Sequence, residues 1–199
     1  MTVRVITGPA PIVTPAEVPG GHADTDTTIT ALIAAVQAGI DGPTGWLGRA
    51  LGEQTLELTR AGFMRSIRLP YRPVVSIESV KYRDPAGTEQ TVDPAKYRSF
   101  GDGVAFVFGY AFPPTECAPD AVTITYKAGY AADKVPASAK QAVIIGVQHL
   151  RSMSEQSLFL RSEEVEGVGS FTYTVGEGAT EVIKAATEML LQPLRVYAL

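Results

Sequence analysis

The sequence predicts an α+β domain: amphipathic helices packed with an antiparallel β-sheet region, an extended N-terminal arm and a C-terminal arm carrying a helix. Three observations lead there. Apolar residues recur at helical spacing near both ends of the chain, but at a period of two from Glu53 to Tyr130. The connections between the predicted strands are short and hold Pro and Gly, which suits hairpins rather than parallel crossovers. Half of the 16 aromatic residues lie between Tyr97 and Tyr130, so the large core-forming rings concentrate in the strand region.

The elements follow in order. Residues 1–23 hold Pro9, Pro11, Pro15 and Pro19 with Gly20 and Gly21, and read as an extended arm because proline fixes φ and removes donors. Asp24-Thr25-Asp26-Thr27 suits a helix N-cap, with carboxylates at the positive end of the dipole. Ile29, Leu32, Ile33, Val36 and Ile40 then form one apolar stripe, which Gly42-Pro43 ends. A second small helical piece is expected around Trp46, Leu47 and Leu51. Strands are predicted at Thr55–Thr59, Ile67–Leu69 and Val122–Tyr126. Another carries Val75, Ile77, Val80 and Tyr82, with a phase slip at Glu78-Ser79 that calls for a bulge. Asp84-Pro85-Ala86-Gly87 reads as a type I turn. After Pro136 a helix places Ala139, Val143, Gly146, Val147 and Leu150 on one face. A strand-like run, Ser170 to Val175, lies in a charged, glycine-rich stretch; a last helix runs from about Ala179 to Leu191 with Val182, Ile183, Ala186 and Leu190 as its stripe. The domain reading is thus an arm over 1–23, a helix–sheet–helix domain over 24–160, and a flexible arm over 161–199.

Composition narrows the function. With 45% hydrophobic and 19% charged residues over 199 positions, the chain can bury a sizeable core without a metal or disulfide. The lone Cys117 cannot form an intrachain disulfide, and His22 and His149 leave little for a metal site or histidine catalysis. A net charge of −4 supplies no general attraction for nucleic acid or anionic lipid. The longest apolar runs fall far short of the roughly 20 residues needed to span a bilayer, and Met1 to Val13 is no signal peptide. A soluble chain made in the cytoplasm, with no membrane partner, is the expectation.

A search for chemistry returns little. Asp24-Thr25-Asp26-Thr27-Thr28 matches the DxDxT pattern of aspartyl phosphotransferases, but the preceding Val18-Pro19-Gly20-Gly21-His22-Ala23 cannot be the buried strand that such a nucleophile requires. Helix capping explains it better. Gly101-Asp102-Gly103 and Gly176-Glu177-Gly178 lack the third glycine of a dinucleotide loop. His149 has no carboxylate at helical spacing, and Cys117 has no histidine near it in sequence. No catalytic, metal-binding or cofactor-binding residue is assigned. Arg60, Arg65, Arg68 and Arg72 crowd into 13 residues and suit solvated strand faces or pairing between subunits better than nucleic acid. Glu163, Glu164 and Glu166 read as a solvated loop. Val104 to Pro114 carries no charge: a buried strand accounts for its first half, whereas Phe108, Tyr110 and Phe112 fit either a core or an interface patch.

Four ordered segments over about 25–151 resemble the head–tail connector (adaptor) proteins of tailed double-stranded-DNA phages and phage-like gene transfer agents. They are the opening helix leading into Thr44-Gly45-Trp46-Leu47-Gly48-Arg49-Ala50-Leu51 and Gln54-Thr55-Leu56-Glu57-Leu58; Ile67-Arg68-Leu69-Pro70-Tyr71-Arg72-Pro73-Val74-Val75-Ser76-Ile77; Val80-Lys81-Tyr82-Arg83-Asp84-Pro85-Ala86-Gly87; and Val122 to Tyr130, followed by Val135-Pro136 and Lys140-Gln141-Ala142. The resemblance implies a structural, non-enzymatic subunit of a twelve-copy ring in the particle neck. Its partners would be a portal protein, a stopper or tail-completion protein, and further copies of itself, with DNA passing through the channel without sequence-specific binding. The proline-rich arm and the ending after Arg151 depart from the pattern. A tail-completion or baseplate protein, and more remotely a small hydrolase built on Asp24, Asp26 and His149, are the competing readings. The candidate partner interface comprises Phe108, Tyr110, Phe112, Phe171, Tyr173, Val182, Ile183 and Leu190, with 161–199 expected to be mobile until docked.

Overall fold

In the computed structural model, which describes residues 1–155, 163–165, 169–171 and 177–197, the period-two segments pair into two antiparallel sheets. The strands are β1 (Thr2–Thr7), β2 (Gln54–Arg60), β3 (Ser66–Arg68), β4 (Val74–Arg83), β5 (Glu89–Thr91), β6 (Tyr97–Ser99), β7 (Gly103–Phe106) and β8 (Val122–Ala128). The larger sheet runs β1-β2-β8-β4-β5 and the smaller β3-β7-β6. Both belong to one compact unit, Met1–Ala10 with Ile40–Val135, which the chain rejoins at Val196.

Alternation decides what this unit buries. Leu56, Leu58, Val122, Ile124 and Tyr126 point to the same side of β2 and β8, and join Ile67, Val104 and Phe106 of the smaller sheet in one apolar cluster. Tyr126 donates to the Pro70 carbonyl at 2.8 Å, which satisfies its hydroxyl, while burial pushes the phenol above its ordinary value. The register of β4 against β8 shifts between Ile77 and Ser79, where the sequence calls for a bulge. A second shift, between Val74 and Ser76, turns Val74 toward the cluster and leaves Val75 exposed, contrary to the expected phase. The turn after β4 is closed by Gly87 donating to the Asp84 carbonyl at 2.8 Å.

The expected helix around Trp46–Leu51 does not form. A 3-10 turn at Gly42–Thr44 leads into a loop wrapped on Asp41. This buried carboxylate accepts from the backbone N–H groups of Leu51 (2.7 Å) and Gly52 (2.8 Å) and from the Gln54 side-chain amide (2.9 Å). Those donors would be drawn away from any helical pairing. Gly48 takes φ +69°, and the loop also receives the Val196 N–H on the Leu47 carbonyl at 2.9 Å.

The second unit holds Pro11–Gly39 and Pro136–Arg195. Its helices are α1 (Thr27–Ala38), α2 (Ala137–Glu155) and α3 (Glu177–Leu191), with a short hairpin of β9 (Glu163–Val165) and β10 (Gly169–Phe171) between the last two. Ile29 and Ile33 of α1 and Ala139, Ala142, Val143 and Val147 of α2 are buried. A Cβ on Gly146 would lie 2.7 Å from a Val36 methyl, so glycine is what lets α1 and α2 approach there.

Residues 1–23 are not a free arm. β1 extends the sheet along β2, pairing Thr2 with Thr59 and Val5 with Leu56. Farther on, Ile12, Val13 and Val18 are buried and the Ile12 N–H donates to Gln37 Oε1 at 3.1 Å. Apolar side chains between the prolines thus gain enough burial to offset ordering of the chain. Similarly, α3 packs beside α2, with Ile183 and Leu190 half-buried and Leu191 fully buried, so its own chain supplies the cover that the sequence leaves open.

Candidate functional site

The carboxylates at the start of α1 are capping groups. Asp26 Oδ1 accepts from the N–H of Thr28 (3.0 Å) and Ile29 (3.1 Å), and its Oδ2 lies 3.2 Å from His22 Nδ1. The Ile29 N–H is the main reason that the Asp26 carboxyl sits below its ordinary value, with His22 adding to it. His22 Nε2 meets the Arg151 guanidinium at 2.7 Å; a guanidinium only donates, so Nε2 accepts and Nδ1 carries the proton toward Asp26. The ring paired with the carboxylate is therefore His22 and not His149, which lies half-buried on α2. Asp24 accepts from the Ala16 N–H at 3.4 Å. All of these contacts tie the segment before α1 in place. Sequence reading found the cap but missed the histidine, because His22 Nε2 is held by a residue 129 positions away.

Cys117 is a free, exposed thiol. Among the described residues no group of His, Cys, Asp and Glu side chains could hold a metal ion, and no helix is long and apolar enough to cross a membrane. Gly101-Asp102-Gly103 is a turn into β7, with Asp102 paired to Arg72 at 3.3 Å.

The uncharged segment divides residue by residue. Phe106, Phe112 and Tyr110 pack with Phe63 in a ring cluster: Phe63 and Phe112 stack at 5.3 Å, Phe106 and Tyr110 at 5.7 Å, and Phe106 meets Phe112 edge-on at 5.2 Å. Burial raises the Tyr110 phenol above its ordinary value. Phe108 points the other way and is 99% exposed, with the Arg65 guanidinium 5.7 Å from its ring centre. On α3, Val182 is exposed while Ile183 and Leu190 turn to the packed side. Phe171 is the last residue of β10, and Tyr173 lies outside the described residues.

Around Phe108 the small sheet carries a feature of its own. Ser66, Ala105 and Arg98 lie in register across β3, β7 and β6, on the side opposite Ile67 and Val104, and Arg68 shares that outward side. Arg98 stands 5.9 Å from the centre of the exposed Phe100 ring. At the Gly103 end of β7 a shallow cavity of about 270 Å³ opens between Arg68, Arg72, Phe100 and Asp102. Some basic side chains elsewhere are paired with carboxylates: Arg4 with Glu57, Lys81 with Glu89, Arg83 with Glu116 and Asp120, Lys140 with Glu17. Among the described residues no carboxylate comes within ion-pair distance of Arg65, Arg68 or Arg98.

The described surface thus offers exposed aromatic and arginine side chains on the small sheet and an exposed side of α3, while the histidine and carboxylates at the start of α1 serve capping. The particular family follows from the sequence itself: the model of the head completion protein family matches residues 20–157, and the chain belongs to that family. No curated protein matches it. Among solved structures, a chain of the virion of a native gene transfer agent particle is 20% identical, with a TM-score of 0.62. Chains of the neck of the native particle, computed with C12 symmetry, and of the neck of the empty particle, computed with C6 symmetry, are each 19% identical, with TM-scores of 0.61 and 0.59. In all three the likeness covers 100% of this chain and 97% of the other. At such identities the likeness is one of fold.

Proposed function

We propose that this protein is a structural subunit of the neck of a phage-like particle, forming a twelve-copy ring between the portal and the stopper or tail and extending the DNA channel. The observation that carries this reading is the likeness, over the whole chain, to a chain of a particle neck computed with C12 symmetry, joined to membership of the head completion family. The chemistry is consistent with it. A subunit with a net charge of −4 can border a DNA passage without trapping the duplex, because like charge opposes adhesion. Thr55, Thr59, Thr123 and Thr125 make the face of the larger sheet that is turned from its core mostly hydroxyl-bearing, and the charges beside them are paired, as in Arg4–Glu57 and Lys81–Glu89. A ring subunit must also present two different surfaces, one to each neighbour, since a rotational ring is built from heterologous contacts. Phe108 and the outer side of α3 supply candidates. The test is particle production with and without the gene. Loss of the chain should leave DNA-filled heads unjoined to tails, and a density map of intact particles should show twelve copies directly below the portal. Finding the chain at the tail tip or baseplate would refute the proposal.

A further inference from the structure

We infer that the basic, aromatic face of the β3–β7–β6 sheet docks the exposed side of helix α3 of the next copy in the ring. This rests on the ring reading above and names the contact that would build it.

The donor face combines two kinds of unsatisfied group. Phe108 is 99% and Phe100 64% exposed, and each has an arginine beside its ring rather than an apolar neighbour over it. Arg65, Arg68 and Arg98 find no carboxylate among the described residues, although the chain as a whole has more acids than bases, 21 against 17. Exposed aromatic rings set among arginines have the composition of interface hot spots. The occupant must therefore bring carboxylates and apolar area together.

The exposed side of α3 brings both. Glu181, Val182, Ala185, Glu188 and Met189 fall on one side of the helix at i, i+1, i+4, i+7 and i+8, and all are exposed. Val182 is 69% and Met189 75% exposed, opposite the packed side formed by Ile183, Leu190 and Leu191. Neither Glu181 nor Glu188 has a cation partner among the described residues. The spacings also agree. Seven residues of helix separate the two carboxylates by roughly 10 Å; Arg68 and Arg98 lie about 10 Å apart across β7 and about 7 Å apart along it, so about 12 Å in all, a span that flexible arginine side chains can close to the carboxylates. Arg68 and Arg98 can thus meet Glu188 and Glu181 while Met189 enters the cavity beside Arg68 and Phe100. Duplex DNA would satisfy the arginines, but it would leave Phe108 and Phe100 without an apolar partner.

The test reverses charges in particles. Arg68→Glu with Arg98→Glu, Glu181→Arg with Glu188→Arg, and all four together are made, and copies per neck are counted by quantitative mass spectrometry against the portal. Each pair alone should cut occupancy at least tenfold, and the combination should return it to within threefold of the unaltered chain. Thermal melts of the free variants separate lost docking from lost folding. As a second arm, Phe100→Cys with Met189→Cys in a Cys117→Ser background should give disulfide-linked ladders of subunits in oxidised particles, since Phe100 lines the cavity that Met189 would enter. Unchanged occupancy in either reversed pair, loss in both without rescue, or necks without ladders would overturn the contact; loss without rescue would point to the portal or the duplex as the occupant. If the unaltered chain is missing from necks, the ring reading falls and the contact with it; if it is present while reversal does nothing, only the contact falls.

Discussion

Replacing Asp41 with alanine tests whether one buried carboxylate organises the loop between α1 and β2. Its Oδ1 accepts from the Leu51 N–H at 2.7 Å and the Gln54 amide at 2.9 Å, and its Oδ2 from the Gly52 N–H at 2.8 Å. All four residues are buried. Alanine would strand two backbone donors, at about 1–3 kcal/mol each, and would also free the Gln54 amide. Relief of the carboxylate's own desolvation works in the opposite direction. The expected net loss is about 3–4 kcal/mol, which for a chain of this size lowers the melting temperature by about 6–16 °C. Asp41→Asn should fall between the two, because its oxygen can still serve Leu51 and Gln54 while its amide opposes the Gly52 N–H. Urea unfolding followed through Trp46, the only tryptophan and a member of the same loop, measures both variants. An Asp41→Ala loss under about 1 kcal/mol, or an asparagine as harmful as alanine, would refute the reasoning.

Other perturbations separate core from surface. Phe106→Ala should cost about 3–5 kcal/mol in chemical denaturation because four rings pack against it, whereas Phe108→Ser should stay within about 0.5 kcal/mol and act only on neck occupancy. Gly129→Ala should destabilise by at least about 2 kcal/mol, since φ there is +116° and a Cβ would run into the carbonyl of Gly52; melting temperature reads it directly. Asp26 and Glu17 both titrate below their ordinary values, Glu17 chiefly through the Thr14 N–H and Lys140. Such groups stabilise the fold at pH values above their unfolded pKa, and that stability is lost as pH falls through the folded one. Melting temperature should therefore drop below about pH 4, and the gap between the parent chain and Asp26→Asn, measured by calorimetry, should close there.

What could be read along the chain was whatever depends on near neighbours. The cap at Asp26, the strand phases of Thr55–Thr59 and Val122–Tyr126, the slip at Ser79 and the turn at Asp84–Gly87 are local patterns, each imposed by dihedral and side-chain periodicity within a few residues. The four ordered segments likewise carried the family, because its model matches residues 20–157. Tertiary structure decided the rest. Whether an apolar residue is core or surface depends on which partner reaches it: Phe112 meets Phe63 from 49 positions away, while Phe108 stands exposed beside an arginine. β1 joins the sheet because β2 offers a free edge, and the Asp41 loop forms because three distant donors converge on one carboxylate. The four arginines counted in sequence as one crowded run separate in space into Arg60, which donates to Met64 Sδ, Arg72, paired with Asp102, and the exposed Arg65 and Arg68, the latter facing outward with Arg98 from a different strand. Periodicity specifies which side of an element is apolar; only the packing of elements distant in sequence determines which apolar and charged groups are left for another molecule to cover.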